Sequence, residues 1–438
     1  MKSPHNSNLL VCAFWLAWLS AEFALASTSR MNQEVGGVVA SASSLSEVER
    51  LGKAGELPAA IAACRKILKR EPENEKAELM LAELYRRVHN EDEAGRTLAV
   101  ARRRHPRSVA VLTASGGLEL EAQAFDVAIE ELQAALKLEP ANLNVRNQLA
   151  SAYLRKGDSS LALQELNEVL AKEPGNGLAL FLRAGIYADA DKTEKAVADV
   201  KKVVSERPQY LQARILYAKL LVRAKECEKA VAILRPDERQ PELDGDGLFL
   251  LANAYDCEGK KELADGVRTQ FEAASRAEHE QAENRVQSLH LVEQANELAM
   301  KNNFPEAMEL LRQALEKNPE NGFAYSQQAK IYFSMKQPAQ AREAIAKAMR
   351  IQPYQPDFLF VQGVIEAADG NADAALRAFE EVTSVNPKEA DAYFEIGKIW
   401  MSKNNRNRAV DAFRKAAELA PDDSEYRQAV AKASKPSQ

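Results

Sequence analysis

The chain holds four cysteines and five histidines, the residue types best suited to thiol or metal chemistry, but neither their number nor their spacing builds a site. Cys64, Cys227 and Cys257 lie beyond the N-terminal apolar run that contains Cys12, and no two form Cys-x-x-Cys. A zinc knuckle or a dithiol redox centre therefore has no framework. His5 lies near the start, while His89, His105, His279 and His290 are scattered through polar segments. No Gly-x-Ser-x-Gly, His-Glu-x-x-His or phosphate-cradling glycine loop is present. Glu242, Asp244, Asp246 and Gly247 imitate the start of a calcium loop. Its twelfth position would be Asn253, which cannot offer the bidentate carboxylate, so an ordinary acidic loop is the better reading. No enzyme, no metal and no cofactor is expected.

What must position these residues is a repeat. Prolines close successive segments at Pro72, Pro106, Pro140, Pro174 and Pro208, each 34 residues apart, and again at Pro319, Pro353, Pro387 and Pro421. With the closing proline at position 32, eleven units begin at Ser41, Glu75, Val109, Leu143, Gly177, Leu211, Gly245, Ser288, Gly322, Pro356 and Ala390. Position 20 is alanine in all eleven, from Ala60 to Ala409, and position 8 is alanine or glycine in every unit except the first, which has Val48. Position 11 is often aromatic (Tyr85, Tyr153, Tyr187, Tyr255, Tyr332, Trp400). Two small residues per unit let two short amphipathic helices approach closely, and a ring fills the space toward the neighbour. Proline ends the second helix, because it lacks an N–H and restricts the residue before it.

With these signatures the chain resembles the tetratricopeptide repeat family. The resemblance implies an all-α, right-handed α-solenoid of about eleven 34-residue helix-turn-helix repeats. It covers seven units over residues 41–278 and four over 288–423. Departures are local: Glu119 and Glu366 replace the position-11 ring, aliphatic Leu51, Leu221 and Leu298 stand there in three other units, and units six and seven lack the closing proline. Arrays of this kind escape the size limit of a single core, because each unit packs only on its neighbours.

Between the two series the register slips by nine residues, 279–287, with no proline from Lys261 to Asn303. A long connecting helix is expected there. Nine added helical residues give about 13 Å and about half a turn, so two lobes facing different directions, with a hinge between them, are expected. In unit one, Ser46 and Glu49 match a capping box, which predicts a helix starting near Glu47. Loops are expected at Asn90-Glu91-Asp92 and Lys156-Gly157-Asp158, and an unusually long one from Arg235 to Gly247, after Pro236 breaks the helix before it. Residues 424–438 read as a polar capping helix and tail.

Residues 1–26 read as a secretory signal: Lys2, an apolar run from Leu9 to Leu19, and the small-x-small site Ala24-Leu25-Ala26. An uncleaved anchor is the alternative. Residues 27–40 look like a flexible leader. No later segment approaches the length of a membrane span. A net charge of −6 argues against nucleic acid as a partner. The basic run Arg102 to Arg107 sits at a helix C-terminus, where it complements the dipole; an anionic-partner patch is the alternative. An export signal ahead of an alanine-rich repeat array points to the bacterial periplasm.

In tetratricopeptide repeats, positions 2, 5, 9 and 12 of the first helix line a concave groove that takes a protein partner. Carried onto this sequence, they give Phe181, Phe249, Asn253 and Asp256 in the first lobe, and Asn296, Phe323, Lys330, Phe333, Phe360, Phe394, Lys398 and Met401 in the second. Rings flanked by polar anchors suit an extended or helical peptide, although phenylalanine at position 5 could equally pack inside its own unit. Two family specialisations are absent. A carboxylate clamp needs lysine at position 5, where Asn253 and Asn296 are accompanied by Phe249 and Val292; the asparagine ladder needs Asn at position 6, which reads Met80, Ala114, Gln148. Alternating helices would put Cys227 and Cys257 on one edge of adjacent repeats, where they form either a disulfide or two separate thiols. The resemblance implies a non-catalytic scaffold in an exopolysaccharide-secretion or outer-membrane assembly complex, or a periplasmic chaperone-like adaptor for exported clients or pilus components. It leaves the oligomeric state open.

Overall fold

The structure, a computed structural model, describes residues 37–235 and 243–434. The signal-like segment, most of the leader, Pro236 and Glu242 lie outside these residues. Among the described residues there are 22 helices and no strand, and the molecule is a helical solenoid of repeats. Most helices are 13 or 14 residues long, and sequential neighbours pack in pairs.

The small positions do what their size requires. All eleven position-20 alanines are completely buried. Position 8 is buried throughout, and its size complements position 24. Gly363 and Gly397 face Phe379 and Phe413, whose rings occupy the space a Cβ would need (2.7 and 2.5 Å). Unit one inverts the sizes: Val48 stands at position 8, and the small Cys64 shares its core.

Two local devices repeat with the same period. The residue ahead of several first helices is a capping asparagine: the Oδ1 atoms of Asn74, Asn142, Asn176 and Asn321 accept the N–H of the third residue on at 3.0–3.2 Å. Inside each unit the first helix ends on one residue in the left-handed region. These residues are Gly55, His89, Gln123, Gly157, Asp191, Lys225, Gly259, Asn302, Lys336, Gly370 and Asn404, in register along both arrays. The turn expected at Asn90-Glu91-Asp92 is accordingly displaced. His89 makes the reversal, Asn90 caps the next helix by accepting from Glu93 N at 3.1 Å, and Glu91 and Asp92 lie in that helix's first turn.

Other sequence expectations need correction. The first helix runs Gly37–Lys53, so it starts ten residues ahead of Glu47. Ser46 and Glu49 lie inside it rather than at its start. No proline interrupts the Ala- and Ser-rich stretch ahead of them, so the helix extends backward at little cost. The connector is helical as expected, a single element of 40 residues, Lys261–Met300. It is about 60 Å long and serves as second helix of unit seven and first helix of unit eight.

The core, however, does not divide into two lobes. Units three to seven share one apolar core, Leu112 to Val267. Units one and two instead share a core with units ten and eleven, in which Leu57, Ile61 and Leu84 join Phe379, Val382 and Ile396. Helix Leu57–Arg70 lies against helix Ala372–Val385, so the N-terminal end of the first array meets the second. No helix among the described residues is long and apolar enough to cross a membrane. The closing helix Ser424–Ala433 covers the last unit, with Tyr426 buried 4.8 Å from the Phe394 ring.

Candidate partner-binding groove

First helices of successive units run the same way, because one reversing helix separates each from the next. Three of them, Gly322–Ser334, Pro356–Ala368 and Ala390–Ser402, enclose an open cavity of about 420 Å³. Its floor is apolar: Phe333, Phe360, Val361, Val364 and Ile365. Lys330 and Ser334 line it from the C-terminal half of one helix. Asp357, Glu389 and Asp391 line it at the N-terminal ends of the other two. Three expected groove residues, Lys330, Phe333 and Phe360, therefore come together here.

The rest are distributed elsewhere. Phe360 and Phe394 at position 5 are half-buried and pack edge-on or tilted against position 24 of their own units: Phe379 at 5.3 Å and Phe413 at 5.5 Å. Phe360 thus serves the groove and the core at once. Phe181 is half-buried against Tyr210 at 5.1 Å and is not part of the cavity lining. Phe249 is 55% exposed and Phe323 37% exposed, each in contact with one ring, Phe271 and Phe358. Asn296 accepts from Gln327 Nε2 at 2.9 Å, Asn253 is half-buried, and Asp256 pairs with Arg268. Lys398 pairs with Glu395 at 2.6 Å and lies over the Phe394 ring. Met401 packs with the last units' core.

Sequence reasoning missed the acidic rim, although Asp357 and Asp391 both occupy position 2, a groove position, and could have been found there. Glu389 precedes its helix at the cap. Burial raises the Glu389 carboxyl above the usual range, and the charges of Asp391 and Asp357 raise it further; a hydrogen bond from Asn386 opposes them. Asp391 accepts a hydrogen bond from the Tyr426 hydroxyl.

The remaining candidates fall into place as structure. Cys227 opens one helix, Cys257 closes another, and a disulfide joins them, with Cα atoms 5.7 Å apart. Cys64 is fully buried, and burial pushes its thiol up to about 12. Asp244 caps helix Gly245–Cys257, accepting from Gly247 N at 2.8 Å, and Asn253 stands in the middle of that helix. Among the described residues no cluster of His, Cys, Asp or Glu could hold a metal ion. The basic run holds buried acids: Arg102 reaches Glu131 of the next unit, and Arg104 reaches Glu78 of its own unit at 2.6 Å. His105 Nε2 lies 3.1 Å from Glu78.

No curated protein matches this chain. Among solved structures, one of MamA is 21% identical, with 37% of this chain and 94% of that one covered and a TM-score of 0.34. The Cut9–Hcn1 hetero-tetramer of APC/C is 14% identical over 88% of each chain, TM-score 0.31. A tetratricopeptide repeat protein from Parabacteroides merdae is 18% identical over 67% of this chain and 98% of that one, TM-score 0.32. The family model described as tetratricopeptide repeat matches residues 53–115, 119–186, 298–359 and 366–433. More than half of the sequence is matched, and the chain belongs to the tetratricopeptide repeat family, whose members are typically non-catalytic protein-interaction scaffolds.

Proposed function

We propose that this protein is an exported scaffold of the bacterial cell envelope, which holds a protein partner in the groove of units nine to eleven. The observation that carries the reading is the meeting of Lys330, Phe333 and Phe360 around one open apolar cavity. A floor of two rings and three branched aliphatics offers more apolar area than an isolated surface residue. Polar groups at both ends can fix an extended segment by its side chains or backbone. Export rests on Lys2, the Leu9–Leu19 run and Ala24-Leu25-Ala26. A place in an exopolysaccharide-secretion or outer-membrane assembly complex follows from the family resemblance.

A photo-crosslinking residue at Ser334, in the full-length protein expressed in cells, tests this reading. After irradiation, fractionation and mass spectrometry, capture of one or a few outer-membrane or synthase components is expected. Capture of many unrelated exported proteins would replace the scaffold by a chaperone-like adaptor. Recovery of the protein in the cytoplasm would overturn the export assignment.

A further inference from the structure

We propose that the groove of units nine to eleven selects a segment in which a large apolar residue is followed closely by lysine or arginine. This deepens the reading above and rests on it. Asp357, Glu389 and Asp391 converge on one end of the cavity from two neighbouring helices. Among the described residues none of the three is in an ion pair; Glu389 accepts a hydrogen bond from Asn386 and Asp391 one from the Tyr426 hydroxyl. Asp357 and Asp391 lie in first turns, where the helix dipole favours an acid, and this accounts for each one singly. Glu389, half-buried at the N-cap of the same helix as Asp391, makes no capping bond, and the Asp391 and Asp357 charges raise its carboxyl, so three like charges share this end of the cavity.

The missing component is a cation beside an apolar anchor. A lysine or arginine there is attracted by three carboxylates, Asp357 and Asp391 exposed and Glu389 half-buried, an attraction that salt screens. The adjacent floor of Phe360, Val361 and Val364 receives the apolar residue. Lys330 lines the cavity from the later part of its helix, away from the acidic helix starts, so the groove has an acidic side and a basic side. That asymmetry gives the occupant a direction. The selection is opposite in sign to a clamp for a chain's terminal carboxylate.

The test is fluorescence anisotropy on the full chain with three fluorescein-labelled peptides. Their cores are Leu-Phe-Lys-Arg, Leu-Phe-Ser-Ser and Leu-Phe-Glu-Glu, each between Gly-Ser flanks. The basic peptide is expected to bind about tenfold tighter than the acidic one, a difference of about 1.4 kcal/mol. The preference should shrink as salt is raised, and it should disappear in the variant Asp357→Asn, Glu389→Gln, Asp391→Asn, which keeps the shape of every side chain. Val364→Arg, which puts a cation on the floor, should weaken all three peptides; circular dichroism checks that both variants remain folded. Equal binding of the three peptides would overturn the basic selection and leave the groove reading standing. Absence of binding by all three would overturn both.

Discussion

The Arg65 guanidinium donates a hydrogen bond from Nη1 to the Thr383 carbonyl oxygen at 2.9 Å, across 318 positions of sequence. Asn90 Nδ2 does the same to the Val385 carbonyl at 2.7 Å, and the Tyr354 hydroxyl donates to the Gly55 carbonyl. Thr383 and Val385 lie in the last turn of helix Ala372–Val385, where carbonyls have no partner within the helix. Side chains of the first two units therefore cap a helix of the tenth. A cation at that end also suits the helix dipole.

Removing both caps should open the contact. The neutral hydrogen bond of Asn90 contributes about 0.5–1.5 kcal/mol net, and the charged one of Arg65 about 1.5–3 kcal/mol. For Arg65→Ala with Asn90→Ala, small-angle scattering is expected to show a larger radius of gyration. Hydrogen exchange should quicken in 57–94 and 372–385 while units three to seven stay protected.

Close approach of the paired helices predicts opposite outcomes for one substitution at two glycines. Gly397→Ala would drive a Cβ to 2.5 Å from the Phe413 ring and should cost roughly 1–3 kcal/mol. Gly185 has nothing within 4 Å of its would-be Cβ, so Gly185→Ala should gain about 0.5–1 kcal/mol from helix propensity and chain entropy. Urea unfolding of the two variants measures both.

The Cys227–Cys257 bridge closes a loop of sequence separation 30. Loop-closure entropy then gives about 3–4 kcal/mol, which reduction or Cys227→Ser should remove. Thermal unfolding with and without reductant reads the loss, and Cys227→Ser should be insensitive to reductant.

Burial raises the Glu381 carboxyl above its ordinary range, partly offset by Arg377. The folded state then keeps a proton that the unfolded chain has already released. Stability from this group therefore falls as pH rises from about 4.3 to the raised native value, and stays reduced above it. Glu381→Gln should be more stable than the parent at pH 7, with the difference vanishing near pH 4 in urea titrations.

Much of this architecture could be read directly from residues. Ala60, Ala162 and Ala409 stand in register because each lies where two helices touch, and each is fully buried. The absence of proline between Lys261 and Asn303 specified the long helix. At the groove, Lys330, Phe333 and Phe360 were legible as position-specific residues, and the acidic rim was available at position 2 but went unread. Phe181 and Phe394 show why position alone is insufficient: a ring at a groove position turns inward when a neighbour such as Tyr210 or Phe413 offers it a surface.

A local period thus determines which residues of a unit meet the next, because that contact is made within one repeat. It does not determine where the end of an array arrives. Small rotations accumulate over successive units, and the 40-residue helix adds its own length and turn. Only the tertiary structure decided that Arg65 would meet Thr383 and that Leu57 and Phe379 would share a core.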